Sequence, residues 1–157
     1  FVLYVGLIGL MPDVKRVFAY HGAEHRTINA YEAGIPLTPS AVRAYSTSHS
    51  RCGTSFIFVV LVVSIIVLAL LGRPPIWLSI LSRIVLLPFI AGASYEFIKW
   101  SADRQDNALV RAITAPGLLL QKLVTRQPDD DQVEAAIEAL KTVLVETETE
   151  VTSPEPA

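Results

Sequence analysis

Ser55-Phe56-Ile57-Phe58-Val59-Val60-Leu61-Val62-Val63-Ser64-Ile65-Ile66-Val67-Leu68-Ala69-Leu70-Leu71 decides the fold, because it contains no charge and only two hydroxyls. The uncharged run extends from Cys52 to Gly72. A helix of about 20 apolar residues crosses the hydrocarbon core of a bilayer, and this run has that length. The alternative, a core hairpin buried in a soluble protein, fits the length rule poorly. Gly72-Arg73-Pro74-Pro75 then makes a tight turn, and a second apolar stretch follows. It is uncharged from Pro75 to Tyr95 except at Arg83, which sits near the outer end of the span and can snorkel. Pro88, inside this second span, should kink it or free a backbone carbonyl. The two stretches predict a transmembrane hairpin over 55–100.

Before the hairpin, Phe1-Val2-Leu3-Tyr4-Val5-Gly6-Leu7-Ile8-Gly9-Leu10-Met11 reads as the end of an earlier apolar, transmembrane helix over 1–11, so the chain is expected to be a fragment of a longer protein. Residues 12–54 form a polar segment. Val14 to Ala33 predicts a helix, stopped by Gly34 and Pro36. Thr38-Pro39-Ser40 offers a cap for a short helix near Ala41 to Tyr45, and Ser46 to Thr54 reads as a loop. After the hairpin, 101–146 holds amphipathic helices, predicted at Ala102–Ile113, Pro116–Val124 and Gln132–Val145. The first two suit packing on the protein's own core or lying on a membrane surface. Asp129-Asp130-Asp131 suits the start of the third, where carboxylates oppose the helix dipole. Residues 147–157 read as a disordered acidic tail. The fold class expected is an all-α membrane protein: a transmembrane helical hairpin, part of an earlier span, and cytoplasmic helices.

Orientation follows from the basic residues. Lys15, Arg16, Arg26, Arg43 and Arg51 precede the hairpin, and Lys99, Arg104, Arg111, Lys122 and Arg126 follow it, whereas its turn holds only Arg73. The expected location is the cell (inner or plasma) membrane, multi-pass, with the His21–Cys52 region and the C-terminus cytoplasmic. The formal net charge of -2 gives no argument for a nucleic-acid partner, and none is expected. The lipid bilayer is the expected partner, and a homo-oligomer stays open. A single cysteine excludes an intrachain disulfide.

All three histidines and the cysteine fall between His21 and Cys52. Within that segment, His21-Gly22-Ala23-Glu24-His25 is an H-x-x-E-H motif. At about 100° per residue, Glu24 falls near 300° from His21, His25 near 40° and Glu32 near 20°. Two imidazoles one turn apart can share a metal ion, and a neighbouring carboxylate can act as ligand or general base. The same order occurs in the inverted zinc-protease motif, where the glutamate is the base. The candidate catalytic residue is therefore Glu24, and the candidate metal ligands are His21, His25 and Glu32. His49 and Cys52 add an imidazole and a thiol, a donor set that favours zinc or iron over magnesium or calcium. The ordinary readings are a polar helix face with locally bonded histidines, and a small buried cysteine at a helix start. Glu96 is the last candidate ligand, either pairing with Lys99 or Arg104 at the interface or facing the same pocket as the histidines. The cofactor expected is a divalent transition metal, zinc before others.

Phe18-Ala19-Tyr20-His21-Gly22-Ala23-Glu24-His25-Arg26-Thr27-Ile28 followed by Tyr31-Glu32 resembles a signature of the YqhQ-like membrane family. Arg51-Cys52-Gly53-Thr54-Ser55-Phe56, Ser94-Tyr95-Glu96 and the stretch 121–137 resemble three further signatures of that family. Two positions depart from its pattern: Gln127 stands where an acidic residue is expected, and Ser50 where a proline is. The resemblance implies a domain of unknown function predicted to be a metal-dependent enzyme, and a longer parent with an N-terminal cytoplasmic region. It also implies functional weight at His21, Glu24, His25, Glu32, His49, Cys52 and Glu96. The function expected is a membrane-embedded, metal-dependent enzyme, hydrolase-like, with its site at the cytoplasmic face. The alternative is a non-enzymatic membrane scaffold or assembly factor with a structural metal or none.

Overall fold

The computed structural model describes residues 2–152, with side chains described to Val145. Among these the chain is all helical, with seven helices and no strand: α1 (Val2–Ile8), α2 (Pro12–Glu32), α3 (Pro39–Val42), α4 (Gly53–Leu70), α5 (Ile76–Ala102), α6 (Ala108–Val124) and α7 (Asp130–Thr152). The chain divides into two compact units, 1–49 with 122–157, and 50–121. The tail expected over 147–157 lies outside the described side chains, and its last five residues lie outside the described backbone.

In the first unit α2 packs on α7, and both touch α3. Ala23 and Ala30 of α2, Val42 of α3, and Val133 and Ile137 of α7 form its buried core, with Leu37, Tyr45 and Ala136 against it. The α2 side is built from alanines, which lets the helices approach closely. Val133 and Ile137, one turn apart, supply the bulk, each worth about 1.5–3 kcal/mol when fully buried.

Both helices are bounded by local chemistry. Pro12 stands in the first turn of α2, where a missing N–H costs nothing. At its other end Gly34 has φ +68, the Gly34 N–H donates to Tyr31 O at 2.9 Å, and the Ile35 N–H donates to Ala30 O at 3.0 Å. That pair of bonds is a Schellman stop, and the left-handed backbone at Gly34 is why a glycine ends the helix. At the start of α7, Asp129 Oδ1 accepts from the Gln132 N–H at 2.9 Å and Gln132 Oε1 accepts from the Asp129 N–H at 3.1 Å. This reciprocal box starts the helix at Asp130, two residues earlier than the apolar periodicity alone indicates.

In the second unit α4 and α5 pack side by side, joined by a turn in which Gly72 has φ +69. Both helices are long and apolar enough to cross a membrane, and only 6% of each apolar window is buried within the protein. Two buried serines of α5 bond inside their own helix: Ser94 Oγ donates to Ile90 O at 2.7 Å, and Ser101 Oγ to Ile98 O at 2.9 Å. Such bonds let a serine sit in an apolar helix without an outside partner. α5 continues unbroken through Pro88. α6 likewise contains Pro116, so the two short helices expected around that proline are replaced by one running from Ala108 to Val124. The break falls earlier, where Asn107 Oδ1 caps α6 by accepting from the Leu109 N–H at 2.9 Å. Inside the unit, the buried Gln121 amide donates to Ser55 Oγ at 2.7 Å. Gly117 lies against the same serine, where an added Cβ would meet Ser55 Oγ at 3.3 Å.

Candidate metal centre

α2 carries His21 and His25 one turn apart with their ring centroids 4.3 Å from each other and planes at 63°. Their ligand-type nitrogens lie within 4.8 Å. Both rings are oriented by backbone carbonyls. His21 Nδ1 is 2.9 Å from Val124 O, and His25 Nδ1 is 2.7 Å from Thr47 O. A carbonyl oxygen can only accept, so each Nδ1 carries the proton. In the neutral ring that leaves the lone pair on Nε2, the arrangement by which proteins present a histidine to a metal. Two nitrogens bound tetrahedrally at about 2.0–2.1 Å lie roughly 3.3 Å apart, a small adjustment for two rings already this close.

The third imidazole, His49, has its centroid 6.0 Å from that of His25. His25 is 3% exposed and His49 7%, so these two rings are nearly removed from solvent. Glu32 Oε2 accepts from His49 Nε2 at 3.1 Å, which puts the proton of His49 on Nε2 and its lone pair on Nδ1 in the neutral ring. The Glu32 carboxylate is therefore engaged with His49, while its own side chain stays 43% exposed.

Two further features hold the histidines. Asn29 Nδ2 donates to Ser46 O at 2.9 Å and Ser48 O at 3.1 Å, tying the loop that carries Thr47 and His49 to α2. The segment before α7 is tied to the other end of the motif, where the Arg126 N–H donates to Phe18 O at 2.9 Å. Gly22 makes that approach possible, because a Cβ there would fall 2.1 Å from Arg126 O. Within His21-Gly22-Ala23-Glu24-His25, the two spacer residues thus have separate structural tasks. Gly22 admits the backbone that accepts from His21, and Ala23 is fully buried in the core.

Glu24 faces elsewhere. It is exposed and lines a cavity of ≈ 420 Å³ between α2 and α7, together with Tyr20, Thr27, Ala135, Ala139 and Val143. Arg26 bonds Gln127, and burial followed by the charge of Arg43 lowers its pKa from the ordinary guanidinium value. Arg43 in turn pairs with Asp130. Cys52 and Glu96 belong to the second unit. Cys52 is buried at the N-cap of α4 with its Sγ 3.1 Å from Thr54 Oγ1, and Glu96 is exposed on α5.

Sequence reasoning missed Asn29, Gly22 and the carbonyls of Thr47 and Val124. For Asn29 a signal exists, since it falls at about 80° on the wheel beside His25. For the carbonyls there is none, as any residue supplies one.

A helical protein with imidazoles gathered on one helix face is the class these features define. The chain belongs to the family described as Protein of unknown function (DUF1385), whose pattern matches residues 1–146. It is 40% identical over 141 residues to the Uncharacterized protein YqhQ of Bacillus subtilis (strain 168), covering 90% of this chain. The chain spans 44% of that relative's length. No solved structure matches it.

Proposed function

We propose that this protein crosses a membrane through α4 and α5 and binds a divalent transition metal, zinc before others, through His21 and His25. The observation that carries the metal reading is the closeness of the two imidazoles, with ligand-type nitrogens within 4.8 Å and each ring oriented by an Nδ1–H bond to a backbone carbonyl, Val124 O or Thr47 O. His49 and Glu32 are the further donors in reach of the same helix face. Cys52 joins the proposal on its sequence spacing to His49, and Glu96 on its place in the apolar span. The membrane reading is supported by the exposed apolar faces of α4 and α5 and by two indoles. Trp77 and Trp100 are both exposed on α5, about 35 Å apart along the axis. That separation suits the two interfacial belts where tryptophan concentrates. The distribution of basic residues supports a cytoplasmic histidine segment and C-terminus.

Hydrolysis is the reaction class that a zinc site of this kind would supply, through Lewis acidity. The chain's own proton acceptor is then better sought in Glu32, bonded to buried His49, than in Glu24, which opens onto the α2–α7 cavity. A second reading, a closed metal site that stabilises a scaffold, is favoured by the burial of His25 and His49.

The test is metal analysis of detergent-purified protein beside His21→Ala and His25→Ala. One equivalent in the parent and less than a tenth in each variant is expected. Equal metal in all three ends the reading. Chelation separates the two versions: a scaffold loses thermal stability when stripped, whereas an open site gives up and regains metal with the melting curve little changed. Resistance of the chain to alkaline carbonate extraction tests the membrane assignment, and release into the soluble fraction overturns it.

A further inference from the structure

The second unit has a polar cleft of its own at the end of the hairpin opposite the turn. Arg51 just before α4, Phe56 in its first turn, Tyr95, Ile98 and Lys99 of α5, and the α5 C-cap Asp103 line a cavity of ≈ 520 Å³. Tyr95, Lys99 and the C-cap Asp103 follow one another at i, i+4 and i+8, so they form a single row along α5 to its C-terminal end. Phe56 and the buried Ile98 give the cleft an apolar wall. Arg51 donates to Asp103 Oδ1 at 2.9 Å, with both side chains about half exposed, a pair that adds little stability but orients the guanidinium. Lys99 and the Tyr95 hydroxyl-bearing ring are exposed beside it.

Depth along the helices narrows the ligand. From Ile76 to Tyr95, α5 rises about 28 Å, and α4 rises about 25 Å from Leu70 back to Gly53. A hydrocarbon core is about 30 Å thick, so if the turn lies at one interface, Tyr95, Lys99 and Arg51 lie at the other. Cationic and hydroxyl donors above an apolar wall, at headgroup level and beside exposed apolar helix faces, match a phosphate ester carrying acyl chains. We propose that this cleft binds the headgroup of an anionic phospholipid, with Lys99 and Arg51 on the phosphate, Tyr95 donating to it, and the acyl chains along Phe56 and the α4–α5 surface. The inference rests on the membrane reading above and is independent of the metal.

The test uses the full chain, purified in detergent and examined by native mass spectrometry with phosphatidylglycerol or phosphatidylcholine added. The parent should retain phosphatidylglycerol preferentially. A basic residue near a charged lipid surface contributes about 1 kcal/mol, so Lys99→Gln should lower that preference about five-fold. Tyr95→Phe should lower it less, and Lys141→Gln on α7 should leave it unchanged. Retention of both lipids to the same extent by the parent, or an undiminished preference in Lys99→Gln, overturns the proposal. So does an equal loss in Lys141→Gln, which would mean attraction by net charge alone. Competition by millimolar inorganic phosphate would also overturn it, by making the ligand a soluble anion. Carbonate extraction keeps the two readings apart: a chain held in the membrane without lipid preference sinks only the headgroup site.

Discussion

The α2 and α5 helices are of comparable length, but several of their polar side chains find partners in opposite ways. On α2, His21, His25 and Asn29 bond carbonyls far away in sequence, at Val124, Thr47, Ser46 and Ser48. On α5, Ser82, Ser94 and Ser101 bond carbonyls of α5 itself. A polar group that satisfies itself locally can be moved into any apolar surrounding, whereas one that reaches across the fold specifies which segments come together. The α2 face is thus committed to a particular tertiary arrangement, and the α5 face to an apolar environment.

The sharpest way to break this contrast is Gly22→Val. With the β position 2.1 Å from Arg126 O, the backbone must move, and a loss of about 2–3 kcal/mol is expected with the metal site lost alongside. Thermal unfolding in detergent reads the first and metal content the second. A variant as stable as the parent would show that the 124–126 segment is not held on α2. His25→Ala comes next. It strands the Thr47 carbonyl and opens a buried space, for an expected loss of about 1–3 kcal/mol. Asn29→Ala should cost about 1–2 kcal/mol through its two bonds to the His49 loop. If those bonds position a metal ligand, affinity should fall about 10–100-fold as well, measurable by chelator competition. Asp129→Ala removes half of the α7 capping box and should cost about 1 kcal/mol with metal binding intact. The smallest effect belongs to α5: Ser94→Ala deletes a bond the helix makes only to itself, and a change of less than about 1 kcal/mol is expected. A larger loss there would mean that Ser94 specifies packing as the α2 residues do.

Several parts of the molecule were open to reading from residue order. The apolar windows of α4 and α5, the glycine stop of α2 and the carboxylates opening α7 are local matters of length, backbone freedom and dipole. The i, i+4 spacing of His21 and His25 also determines their neighbourhood, because a helix has one geometry. Glu24 shows where that reasoning runs out. The wheel places it about 60° from His21 and 100° from His25, and only the packing of α7 against α2 decides that this offset opens onto the α2–α7 cavity. Glu32, nearly in line with His21 on the wheel, is drawn to His49 because the loop brings an imidazole to it.

Sequence by itself determined the glycine stop of α2, the apolar character of the hairpin and the pairing of two imidazoles on one turn, since each depends on neighbours within a few residues. Tertiary structure alone decided which ring nitrogen of each histidine faces a carbonyl or a carboxylate, why the motif needs a glycine at position 22, and which acid stands beside an imidazole. Those outcomes depend on backbone carbonyls and a loop from distant positions, and a carbonyl carries no mark in the sequence.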